Sequence, residues 1–167
     1  MARTKTLKNL QDKKFVTFPF QGFWQTVFGN PMVSGIWLIF GKEKNGKTTF
    51  ALKLAEYLTQ FGKVLYVSAE EGTDKEFVDA TKRAKLDVNN KKLQFIEYLP
   101  LQELDEKLSK RQAAKIVFID NITIYKDELS YNGFTNFKKK HSNKLIVFIA
   151  HEDKNEPYTA TAKLIKK

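Results

Sequence analysis

The octapeptide Gly41-Lys42-Glu43-Lys44-Asn45-Gly46-Lys47-Thr48 constrains this chain more than any other stretch. It fills the pattern G-x-x-x-x-G-K-S/T, follows the apolar run Ile36 to Phe40 and leads directly into a helical pattern. Glycine lets the backbone turn tightly enough for successive N–H groups to surround one phosphate, and the positive end of the next helix points at the same anion. Lys47 is then placed to reach the β- and γ-phosphates, and the Thr48 hydroxyl to ligate Mg²⁺. Gly41, Lys44, Asn45, Gly46, Lys47, Thr48 and Thr49 are therefore the candidate nucleotide-binding residues, and a nucleoside triphosphate is the expected ligand.

The rest of the chain alternates runs of β-branched and aromatic residues with helical patterns, which predicts an α/β fold with a central, mostly parallel sheet flanked by helices. The expected strands are Ile36 to Phe40, Val64 to Ser68, Leu93 to Tyr98, Ile116 to Asp120 and Leu145 to Ala150. Phe50, Leu54, Tyr57, Leu58 and Phe61 recur at helical spacing, with Gly62 where the helix should stop. A second helix is expected from the capping box Thr73-Asp74-Lys75-Glu76, a third on Leu101, Leu104 and Leu108, and a fourth around Phe134 to His141. No repeat or Pro/Gly-rich linker divides the chain, so residues 33–167 read as one core domain. Residues 1–32 hold no clear period, but Phe15, Phe18, Phe20, Phe23, Trp24 and Phe28 make them too aromatic for a free tail. They are expected to pack on the sheet or to shield the nucleotide base.

Composition narrows the function. The 167 residues are 42% hydrophobic and 29% charged, enough for a sizeable core, which excludes a disordered or fibrous chain. With no cysteine, a disulfide framework and a thiolate metal site are both excluded, and His141 and His151 are too few for most metal sites. A reducing, cytoplasmic setting is expected. Met32 to Phe40 is too short to cross a bilayer and the basic N-terminus lacks the apolar middle of a signal peptide, so no membrane association is expected. The net charge of +10, nearly all from lysine, makes a polyanion a candidate partner.

Three further strand ends carry polar residues. Lys115-Ile116-Val117-Phe118-Ile119-Asp120 is a buried strand that delivers one carboxylate to the sheet edge, so Asp120 joins Thr48 as a candidate metal ligand. Val64 to Ser68 runs into Ala69-Glu70-Glu71-Gly72, where a carboxylate beside the phosphates can orient and deprotonate water; Glu70 is the candidate base, with Glu71 its open alternative. Leu145 to Ala150 ends in His151, a candidate sensor of the γ-phosphate. Lys47, Glu70 and His151 are thus the candidate catalytic residues.

Taken in order, the phosphate loop, Ser68-Ala69-Glu70, Phe118-Ile119-Asp120 and Phe148-Ile149-Ala150-His151 resemble the RecA-like ATPase superfamily, which includes RecA and RadA recombinases, DnaB-type replicative helicases and KaiC-like proteins. The resemblance covers roughly Val33 to the C-terminus. It implies ATP with Mg²⁺, a catalytic glutamate at Glu70 and a Walker B aspartate at Asp120. His151 departs from the glutamine common at the sensor position. The resemblance also implies DNA recombination or replication, with single-stranded DNA as partner and a homo-oligomeric ring or filament. DNA loops would fall at Asn121 to Asn132 and Glu152 to Thr161, with contacts from Tyr125, Tyr131 and Lys138-Lys139-Lys140. The segment from Pro157 resembles one that turns into a further strand and presents a basic residue to the neighbouring subunit, which makes Lys163, Lys166 and Lys167 candidate trans-acting lysines. The compact size implies a minimal version of the fold, of the kind a bacteriophage or mobile element encodes.

Other readings share the phosphate loop. An accessory or loader module could hold ATP and hydrolyse it weakly or only with a partner. A partitioning-type ATPase is suggested by Lys42 after Gly41, but Glu43 and Lys44 stand where its signature has glycines. A small-molecule kinase would need arginine clamps, and the chain has only Arg3, Arg83 and Arg111.

Overall fold

The structure, a computed structural model, describes residues 4–166. Contacts separate the residues up to Val33 from those beginning at Ser34. Within the first unit the aromatic segment forms two short helices, α1 (Leu7–Gln11) and α2 (Gly22–Phe28). Thr6 caps α1. Phe18 and Phe20 are buried and stacked at 5.6 Å, and Trp24 stacks on Phe28 at 6.1 Å. A bridge between Thr17 and Met32 closes this unit.

The second unit is a sheet of β1 (Gly35–Gly41), β2 (Val64–Ser68), β3 (Leu93–Glu97), β4 (Ile116–Asp120), β5 (Leu145–Asp153) and β6 (Glu156–Pro157). The order β1-β5-β4-β2-β3 is parallel throughout, and β6 pairs antiparallel with β5. The central strands β2 and β4, and β5 as far as Ala150, are buried over nearly their whole length, which is why they read as continuous apolar runs. Helices α3 (Lys47–Leu58), α4 (Lys75–Arg83), α5 (Leu101–Ser109), α6 (Tyr131–Lys140) and α7 (Ala160–Lys166) link and cover the strands.

Helix α3 buries Ala51, Leu52, Leu54, Ala55 and Leu58, a broad face at helical spacing, and packs across β1, β5, β4 and β2. It ends at Leu58 with Thr59 as its cap, so the stop falls before Gly62, and Phe61 lies in the turn that follows. The other core layer joins Leu104 and Leu108 of α5, Phe134 and Phe137 of α6 and Ala162 of α7 to Val67, Ile119 and Phe148.

Three local expectations are corrected. The capping box at Thr73 does not form: Asp74 is the N-cap without a side-chain bond, and the Thr73 hydroxyl bonds Glu97 of β3 instead. Helix α6 starts at Tyr131 because the Ser130 hydroxyl accepts from the Gly133 N–H. The C-terminal segment makes only the two-residue β6 before turning into a helix rather than a further strand; the Thr159 hydroxyl accepts from the Ala162 N–H and Ala162 is fully buried. Among the described residues, no helix is long and apolar enough to cross a membrane.

Candidate active site

Strand periodicity gathers the expected residues on one face of one sheet edge. Val67, Ile119 and Ala150 point into the core layer of α5, α6 and α7. Their successors Ser68, Asp120 and His151 therefore face the α3 side at the strand ends. Register sets Ser68 beside Asp120 and Gly41 beside His151. Lys44 and Gly46 take left-handed backbone conformations, with φ of 61° and 76°, and Gly46 is the N-cap of α3. Glycine adopts that conformation without strain, and the loop it forms turns its N–H groups inward.

A cavity of about 570 Å³ opens above these residues. Lys44, Gly46, Lys47, Thr48 and Thr49 form one wall, Ser68, Glu70 and Glu71 another, with Asp120 and His151 at the floor. Gly41 and Asn45 do not line it; they shape the loop that does. The Lys47 ammonium donates across the loop to the Lys42 carbonyl at 2.6 Å.

Thr48 Oγ1 donates to Asp120 Oδ2 at 3.3 Å, and the Tyr66 hydroxyl donates to the same oxygen at 2.6 Å. Burial pushes the Asp120 carboxyl up to about 6, against the pull of the Tyr66 and Thr48 hydroxyls, and Glu71 and Glu70 add to the rise. Burial, then Asp120 itself, holds the Tyr66 phenol well above its ordinary range, so it stays a donor. Hydroxyl and carboxylate oxygens are hard donors, and among the described residues no group of three or more His, Asp or Glu side chains could hold a metal. A pair of protein oxygens that leaves the remaining positions to phosphate and water is the habit of Mg²⁺, so Thr48 and Asp120 fit it.

Glu70 is held from two sides. Asn121 Nδ2 donates to its Oε2 at 2.8 Å, and His151 Nε2 lies 3.0 Å from Oε2 and 3.3 Å from Oε1. Since a carboxylate only accepts, His151 carries a hydrogen on Nε2, while its Nδ1 is buried with no partner among the described residues. Glu71 lines the same cavity.

Sequence reasoning missed three residues here. Tyr66 lies opposite Phe118 in the β2–β4 register, so its hydroxyl reaches diagonally to Asp120; that reach could have been inferred from the paired strands. Asn121 follows Asp120 directly across a cis peptide. Arg83 lines the cavity with Glu76 and Ala80, one face of α4 at helical spacing. The expected nucleic-acid contacts are sorted differently. Tyr125 is fully buried and donates to the Leu99 carbonyl at 2.8 Å, so it cannot stack on a base. Lys140 is paired with Asp105, and Lys166 with Glu156. Tyr131, Lys138, Lys139 and Lys163 are exposed, and Lys167 lies outside the described residues.

No family profile matches the chain, and no curated protein does. Among solved structures it is similar to the flagellar accessory protein FlaH from Methanocaldococcus jannaschii, with a TM-score of 0.65 and 19% sequence identity, covering 92% of this chain and 76% of that one. The chain has a RecA-like fold. The cavity lies over the loop and strand ends that the resemblance singled out.

Proposed function

We propose that the chain is a Mg²⁺-dependent ATPase whose turnover is coupled to single-stranded DNA, in recombination or replication. The observation that carries the hydrolytic part is the Glu70 carboxylate in the same cavity as Lys47, Thr48 and Asp120. A mere nucleotide holder needs no such group, whereas hydrolysis needs a base beside the γ-phosphate. Lys47 neutralises the transferring phosphate, Thr48 and Asp120 hold the cation, and Glu70 orients water and takes its proton. His151 senses the γ-phosphate: its single available N–H now serves Glu70 and can serve a phosphate oxygen only by letting go.

A trough between α6 and α7 supports the DNA part. One cavity of about 780 Å³ is lined by Lys126, Tyr131, Tyr158 and Lys163. A second, of about 700 Å³, is lined by Tyr131, Lys138 and Lys139, and the two share Tyr131 and Leu164. Tyr131 and Tyr158 are 68% and 59% exposed, free to stack on unpaired bases while the lysines meet phosphates. The trough also connects to the active site, since the Tyr158 N–H donates to the His151 carbonyl at 2.9 Å. In a ring or filament of identical copies, Lys163 is the candidate trans-acting lysine.

The test is phosphate release from ATP and Mg²⁺ with and without single-stranded DNA. We expect DNA to raise the rate, and the Tyr131→Ala/Tyr158→Ala double variant to lose the rise while keeping the basal rate. Contacts to about four phosphates would make log affinity fall with log salt at a slope of about −3. Turnover indifferent to DNA would instead favour an accessory nucleotide-binding module with partner-dependent hydrolysis. That second reading is supported by the engagement of both Glu70 oxygens, and a flagellar accessory protein shares the fold.

A further inference from the structure

We propose that Asn121 is a positioning residue for hydrolysis, fixing the carboxylate of Glu70 so that its remaining lone pairs meet the attacking water. The inference rests on the reading of Glu70 as the base. Asn121 is 1% exposed, and both ends of its side-chain amide are committed. Its Oδ1 accepts from the Thr123 N–H at 2.7 Å, capping the 3-10 turn Ile122–Tyr125, and that bond alone dictates which way the amide faces. Nδ2 must then point at Glu70, where it donates to Oε2 at 2.8 Å.

The two donors to Glu70 are not equivalent. His151 spreads one N–H over both oxygens, at 3.0 and 3.3 Å, from a side chain that is partly exposed. Asn121 makes one directed bond from a buried, doubly anchored amide. The histidine can therefore turn away to a phosphate oxygen without releasing the glutamate, because Asn121 still holds Oε2. In the step this serves, a water proton passes to Glu70 as the water oxygen bonds the γ-phosphorus. The bridging oxygen to the β-phosphate leaves with the electron pair of the broken bond.

Such a role predicts an effect on kcat that depends on Glu70. A misplacement of about 1 Å at a reacting group can cost roughly 10²-fold. Asn121→Ala should lower kcat at least about tenfold, with the KM for ATP within about threefold. In a Glu70→Gln background the same substitution should leave the residual rate unchanged, since the group it positions no longer acts. Asn121→Asp separates this role from the cap. It keeps the acceptor for Thr123 N–H and hence the fold, but replaces the donor to Glu70 with a repelling oxygen, so kcat should again fall.

Steady-state ATP hydrolysis by the full chain, wild type against Asn121→Ala, Asn121→Asp, Glu70→Gln and the Glu70→Gln/Asn121→Ala pair, decides it. Asn121→Asp at wild-type kcat, or an equal loss from Asn121→Ala in both backgrounds, overturns the proposal and leaves Asn121 a structural cap. If Glu70→Gln keeps wild-type kcat, the base assignment falls and the proposal with it. If Glu70→Gln is inactive while both Asn121 variants are active, the proposal falls alone.

Discussion

Glu70→Gln should lower kcat for ATP hydrolysis by about 10²–10⁴-fold while leaving KM within about threefold. Glutamine keeps the side-chain length and an oxygen that can accept from Asn121, so the geometry around Oε2 survives. What it loses is the capacity to take a proton from water. Lys47, Thr48 and Asp120, to which the proposed function gives the binding, are untouched, and so the loss should fall on the chemical step. The corresponding Glu71→Gln change should leave kcat near wild type, because Asn121 and His151 hold Glu70 and not its neighbour.

Asp120→Asn should have opposite effects on function and on stability. Burial raises the Asp120 carboxyl from its ordinary 3.8 to about 6. A folded-state pKa above the unfolded one means that the fold prefers the protonated acid. That stabilisation is complete below about pH 4 and is lost as pH rises through about 6. At neutral pH the charged carboxylate therefore costs the free protein up to about 3 kcal/mol, and a neutral asparagine avoids most of it. For a chain of this size each kcal/mol is worth about 2–4 °C, so Asp120→Asn should melt several degrees higher without ligand at pH 7. The gain should vanish near pH 4, where the wild-type acid is itself neutral. With ATP present, Mg²⁺ should add stability to the wild type and not to the variant. Thermal unfolding across pH 4–8, with and without Mg²⁺ and ATP, measures both effects. A variant less stable than wild type at pH 7 without ligand would show that the hydroxyl donors outweigh the desolvation.

How much of this was legible in the sequence differs from residue to residue, for physical reasons. The phosphate loop could be read because its chemistry is local: Gly46 is needed by its own backbone, and Lys47 and Thr48 follow in the same turn. Asp120 and His151 could be read because a buried parallel strand is a continuous apolar run, and whatever polar residue ends it arrives at the shared edge. Sequence reasoning failed where a partner comes from another element. The Thr73 hydroxyl had a local bond available at the start of α4 and takes Glu97 of a neighbouring strand. Tyr125 looked like a loop aromatic, yet the 3-10 turn rolls it into the core, where the Leu99 carbonyl receives its hydroxyl. Arg83 carries no motif, and only the packing of α4 against α3 shows that it faces the cavity. The two helices of the aromatic segment are too short to show a period, and the contacts among Phe18, Phe20, Trp24 and Phe28 define that unit instead.

The cavity over the Lys47 loop is expected to bind a Mg²⁺–nucleoside triphosphate. Thermal unfolding of the wild type and of Lys47→Ala, titrated with ATP in the presence of Mg²⁺, tests it most directly. At about 100 times its Kd, a ligand adds about 2.7 kcal/mol, so the wild-type Tm should rise by about 5–10 °C. Lys47→Ala loses a charge-assisted bond to phosphate and should need at least about tenfold more ATP for the same rise. An equal rise in both proteins, or none in either, would contradict the account.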